Sequence, residues 1–325
     1  MFTAPLAGQM QRSTATDVQV AMRGVDFHVD SAIVLRIGYL RGALRRTSPD
    51  KPPYFDDKHS FTLQIDTARI GISPAHLSAL LNRYVFAYPG APIHRLNVTV
   101  DHGQLVQRGT LKGISFKVVG DLTVTPSGEL RLHPSTIKAV GIPVGGLMDL
   151  FGIQLQKLVN LRQARGVRLE KNDFILNPAE LLPPPTARGM LSAVEVSDTA
   201  IVQIFKSPPG DAARPLTPPD AKARNFMYYR GSVLRFGKLT MDDTDLEIID
   251  GDPRDPFDFF LDRYNLQLTA GYSRNTPSHG LIVFMPDFRQ AQAVRDRGGL
   301  RPAAPIGPAA SVHDSSATKD KRGAG

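Results

Sequence analysis

The sequence predicts an α+β fold dominated by antiparallel strands. Two observations lead there. From Val18 onward the chain is built of short segments of period-two alternation bounded by Gly, Pro, Asp and Ser, the signature of half-buried strands joined by turns. Only three stretches carry the 3.6-residue apolar period of a helix, and helices with one apolar stripe must lay it against a sheet face.

The strands come first. Val18, Val20 and Met22 alternate with polar neighbours until Arg23-Gly24 interrupts them, and Ala32 to Ile37 is a more fully apolar strand. Phe61, Leu63 and Ile65 form another set. Leu96, Val98 and Val100 lead through Asp101-His102-Gly103, whose residues tolerate left-handed backbone, back into a strand at Leu105, a hairpin. Val118, Gly120, Leu122 and Val124 turn at Pro126-Ser127-Gly128 into Leu130 and Leu132. The segments LNVTVDHGQLV, LSAVEVSDTAIVQI and LTMDDTDLEII read as three uses of one hairpin solution, too unevenly spaced for a solenoid repeat.

Ser73-Pro74 starts a helix: the hydroxyl caps it, and proline loses nothing at the first helical position. Leu77, Leu80, Leu81, Tyr84 and Val85 then fall on one face. A second helix is expected from about Gly146 to Arg162, with Leu147, Leu150, Phe151, Leu155, Leu158 and Val159 on its apolar side and Arg162, Arg165 and Gly166 suited to its end. A third is expected to start at Asp255-Pro256 and carry Phe257, Phe260, Leu261 and Tyr264.

The expected organisation is a flexible start over 1–17, an α+β domain over 18–206, a Pro-rich linker over 207–224 and a β segment over 225–288, either independent or completing the same sheet. The tail 289–325 has almost no large apolar side chains to repay the entropy of ordering and is expected to be disordered. That tail holds seven basic and three acidic side chains, half of the net charge of +8. The body is nearly balanced, with no dense basic stripe, so nucleic acid is not an expected partner. The opening residues show no secretory signal and no stretch is long and apolar enough to span a bilayer. The chain as written reads as cytoplasmic, and as periplasmic or envelope if its start is truncated.

With no cysteine among the 325 residues, disulfides, thiolate metal sites and a cysteine nucleophile are excluded. There is no phosphate-cradling glycine loop, no GxGxxG, no HExxH and no GxSxG, and the eight histidines are scattered singly. The run Asp242, Asp243, Asp245, Glu247, Asp250, Asp252, Asp255 and Asp258 lacks the distal glutamate of a calcium loop. It reads as a solvated strand face followed by turns. No catalytic residue, metal ligand or cofactor is expected, and the protein reads as non-enzymatic.

The order of elements from Phe61 to Phe205 resembles the LmeA-like phospholipid-binding family of bacterial envelope proteins. The resemblance rests on the helix SPAHLSALLNRYVF, the hairpin run LNVTVDHGQLVQRGTLKGISFKVVGDLTVTPSGELRLHPSTIKAVGIPV, the helix GGLMDLFGIQLQKLV and the closing pair LSAVEVSDTAIVQIF. It implies a curved, mostly antiparallel sheet packed on two or three amphipathic helices, similar to tubular lipid-binding folds, with phospholipid in the apolar interior. Carried over by position, the lining is Leu77, Leu80, Leu81, Tyr84, Leu147, Leu150, Phe151, Leu155 and Leu158. The segment 225–288 lies outside the resemblance.

The expected function is therefore binding of a phospholipid, fatty acid or other lipophilic ligand in a groove between sheet and helices, serving envelope lipid handling with peripheral membrane contact. Arg83 and Arg162 are headgroup candidates by position, against the plainer reading of both as solvated helix charges. The alternative is a scaffold with a fully packed core that binds a protein partner; a hydrolase with an unrecognised acid pair is the third possibility.

Overall fold

The computed structural model describes residues 17–139, 161–207 and 216–298. Three long strands carry the architecture: β1 (Val18–Asp30), β2 (Ile33–Arg46) and β3 (Phe61–Ile72), paired antiparallel in chain order. Each outer member of the trio changes partner midway. The first half of β3 pairs in parallel with β10 (Thr186–Arg188), and its second half pairs antiparallel with β12 (Ala200–Phe205), which is followed by β11 (Leu191–Ser197). The first half of β1 pairs with β13 (Phe226–Gly231), and its second half runs parallel to β17 (Phe257–Phe260). That switch falls at Gly24, whose φ is +59° and whose missing Cβ would stand 2.3 Å from Asn225 Oδ1, so only glycine fits.

Beyond β13 the sheet continues through β16 (Thr244–Asp250), β19 (Leu281–Met285) and β18 (Tyr272–Asn275). The segment 225–288 is therefore part of the same open sheet as the N-terminal strands. The second sheet runs β4 (Ile93–Asp101), β5 (Gln104–Leu111), β6 (Ile114–Val124), β7 (Leu130–Ala139), β9 (Asp173–Leu176) and β8 (Val167–Glu170). His102 and Gly103, at φ +50° and +76°, close the β4–β5 hairpin, and Gly128 at +77° closes β6–β7. The fold is a mostly antiparallel α+β arrangement of two large open sheets, one two-stranded ribbon and short helices.

Four expectations are corrected. Phe257–Phe260 is a strand and not the start of a helix: Phe257 and Phe259 both turn inward at full burial, a period of two. The helix there, α3 (Tyr264–Ala270), begins eight residues after Pro256. The tail is ordered further than composition suggests, because α4 (Phe288–Asp296) buries Phe288 and Ala291; residues 299–325 lie outside the described residues. LTMDDTDLEII is no hairpin, since β15 (Leu239–Met241) pairs with β14 (Leu234–Phe236) around Gly237, while β16 joins the large sheet. Finally, β16 is not a solvated face: Asp245 and Glu247 are buried, Asp245 against Tyr228 and the turn that holds Ser278 and Gly280, Glu247 beneath the Pro-rich segment. The Asp220 N–H donates to Glu247 Oε2 at 2.8 Å, and the Asp220 carboxylate pairs with Arg274 on β18 at 3.3 Å.

The helix predicted after Ser73-Pro74 is α1 (Pro74–Leu80), continued as a π turn over Leu81–Val85. Ser73 Oγ accepts from the His76 N–H at 3.2 Å. Most of the expected 146–162 helix lies outside the described residues, and its last two positions, Leu161 and Arg162, are not helical.

Candidate functional site

Between the two sheets lies a cavity with about 140 Å³ open to the centre of a water molecule, roughly ten times what one water needs. One wall is the inner face of the large sheet. Its lining includes Phe27 and Val29 on β1, Leu35 and Ile37 on β2, and Ile65 and Ile70 on β3. The opposite wall comes from Leu105 on β5, Leu122 on β6, Leu132 on β7 and Leu176 on β9. Strand alternation explains both walls, since every second side chain points between the sheets.

Two short helical segments line the space between the walls. Leu77, Leu80 and Leu81 of α1 and its π turn line the cavity, as do Pro178, Leu181 and Leu182 at the single helical turn α2 (Pro178–Leu181). α1 is moored by its other face. Asn82 accepts from the Leu96 N–H at 2.9 Å and donates to the Leu96 carbonyl at 2.7 Å, so one side-chain amide pairs with the β4 edge as a neighbouring strand would. Ser78 Oγ accepts from the Val98 N–H at 2.8 Å and donates to the Pro74 carbonyl at the same distance.

Among the described lining residues none is charged, and only Gln107 and Gln203 are polar. Tyr84, expected in the lining, stands elsewhere: its hydroxyl donates to Asp30 Oδ2 at 2.7 Å, and Arg83 reaches the same oxygen at 3.2 Å. Hydrogen bonding to that carboxylate pushes the Tyr84 pKa up to about 12. Burial alone would raise the Asp30 pKa, but the bonds from Tyr84 and the Ala32 N–H and the Arg83 charge bring it below the ordinary carboxylate value. Arg83 and Tyr84 thus tie the end of the helical segment to the end of β1. Arg162 is exposed and outside the lining. Leu147, Leu150, Phe151, Leu155 and Leu158 lie outside the described residues.

The sequence placed Leu77, Leu80 and Leu81 on one helix face, and the structure brings them to the cavity. It did not reveal the second wall or the two glutamines. One signal was present: in Ile201-Val202-Gln203-Ile204-Phe205 the inward positions read apolar, polar, apolar.

The acidic run carries no second site. Burial raises the Glu247 pKa to about 7, aided by the Asp220 and Asp245 charges and opposed by the Asp220 N–H and Arg274. Burial likewise takes Asp287 to about 6, where Asp250, Asp258 and Asp255 add to it and the Asp258 N–H opposes it. Asp245 is satisfied by the Tyr228 hydroxyl at 3.0 Å and by Arg230 at 3.0 Å. Among the described residues no three His, Asp or Glu side chains are grouped to hold a metal ion, and no helix is long and apolar enough to cross a membrane. Comparison with family models, with curated proteins and with solved structures found no match to this chain.

Proposed function

We propose that this protein binds a phospholipid or another lipophilic ligand, without catalysis, by seating an acyl chain in the cavity between its two sheets. One observation carries the reading: thirty described residues line that cavity and none of them bears a charge. An acyl chain entering such a space gains about 0.8 kcal/mol for each methylene removed from water, and a lining without ionised groups sets no cost of desolvating a charge against it. Short helical segments that present Leu77, Leu80, Leu81 and Leu181 to the space between the two open sheets support this reading. Envelope lipid handling, with peripheral membrane contact, is the role that the resemblance to the LmeA-like family adds.

Solvent extraction of the gently purified full chain, followed by lipid mass spectrometry against a non-binding protein of similar size, tests the proposal. A phospholipid or fatty acid at close to one per chain is the expected result. No lipid above the control contradicts it and favours the scaffold alternative with a filled interior.

A further inference from the structure

We propose that the ligand of this cavity carries an uncharged hydrogen-bonding group of the acyl-ester or amide class, met by the side-chain amides of Gln107 and Gln203. The inference rests on the lipophilic-ligand reading and sharpens it from any hydrocarbon to a chemical class.

Gln107 lies on β5, paired with Val98 and Val118 on its two neighbours, and Gln203 lies on β12 between Ile70 and Val194. They come from opposite sheets and line one cavity whose other described lining residues are all apolar. Among the described residues neither side-chain amide has a hydrogen-bond partner. Each offers two donors and one acceptor. Where no ligand is bound, water is the partner available to them. A purely hydrocarbon ligand would expel that water and leave two amides unpaired, a cost that falls on binding. A ligand with a carbonyl accepts from these donors while its chain fills the remaining apolar space, so the same two residues select for it. An ionised carboxylate gains no such place, since no described lining residue carries a compensating charge. Arg83, the nearest cation on the wall-forming helical segment, is already committed to Asp30.

Selection of this kind is read from three ligands of equal chain length: methyl dodecanoate, dodecanoate and dodecane, each displacing Nile red from the purified full chain. The ester is expected to bind about tenfold more tightly than the hydrocarbon, the factor one net hydrogen bond supplies, and more tightly than the carboxylate. In the double variant Gln107→Leu, Gln203→Leu the ester is expected to fall to the level of the hydrocarbon, with cooperative melting retained and hydrocarbon binding unchanged or tighter. Equal binding of ester and hydrocarbon by the unaltered chain overturns the inference, and needs no variant to do so. A double variant that keeps the preference for ester overturns it as well. Hydrocarbon binding without ester preference leaves the lipophilic-ligand reading standing alone, whereas failure of all three ligands removes both.

Discussion

β1 and β2 run the length of two interiors that differ in kind. At one end, beside the C-terminal strands, the space is filled by rings. Phe55 stands 5.6 Å from Phe61, 5.5 Å from Tyr229, 4.9 Å from Phe236 and 6.0 Å from Tyr264, centroid to centroid. Tyr264 completes the set by donating to Asp56 and accepting from the Gly237 N–H. At the other end the same strands face aliphatic side chains across a space that stays open. The lesson is that burial alone does not distinguish a core from a site. Phe259 and Leu132 are both almost wholly inaccessible, yet one packs against the rings of Phe27, Phe257 and Tyr264 and the other lines the cavity.

The comparison is broken most decisively by truncation. Phe236→Ala at the filled end is expected to cost about 3–5 kcal/mol, because the ring leaves a hole its rigid neighbours cannot close; chemical denaturation measures it. Leu35→Ala on the cavity wall is expected to cost less, about 2 kcal/mol, since the space it opens is continuous with one already present.

Proton binding separates the two ends as well. Glu247, with a folded-state pKa near 7 against an ordinary value of 4.5, favours the folded state fully only below pH 4.5, and that contribution is lost as pH rises through about 7. On the order of 2 kcal/mol of stability is expected to disappear over that window, and Glu247→Gln is expected to flatten the slope above about pH 6 while leaving the part that Asp287 contributes below it. A pH series of denaturant midpoints for the two chains is the check. An unchanged slope in the variant would move the effect to Asp287, the other acid raised by burial.

Overpacking sharpens the comparison from the opposite side. Leu246→Phe, in the filled region, is expected to destabilise by about 1–3 kcal/mol. Leu40→Phe, which points into the open space, is expected to cost under about 1 kcal/mol and to reduce copurifying lipid. Leu81→Asp is expected to abolish lipid copurification, and the result counts only where the variant still melts cooperatively.

Local signals were legible in the sequence. The Ser73-Pro74 start, the alternation of β4 to β7 and the left-handed turns at Gly103 and Gly128 depend on neighbours a few residues away. Long-range pairings were not. Phe257, Phe260, Leu261 and Tyr264 fit a helical face as well as Phe257 and Phe259 fit a strand, and the choice is made by β1, which offers a free edge only because Gly24 ends its pairing with β13. β16 looked solvated because Asp243, Asp245 and Glu247 alternate with uncharged residues, but Asp220 and Ser278, distant in sequence, meet Glu247 and Asp245. The site was half legible for the same reason. A leucine stripe announces an apolar face, while the opposing sheet that turns the face into a cavity is set by tertiary packing.

The central claim is tested most directly by a crystal structure of the full chain soaked with a lipid whose acyl chain is brominated at defined positions, read from the bromine anomalous signal. The account predicts peaks in a row between the two sheets, bordered by Leu77 and Leu81 on one side and Leu132 on the other. Peaks confined to the outer surface, or a space between the sheets already filled by the protein's own side chains, would contradict it.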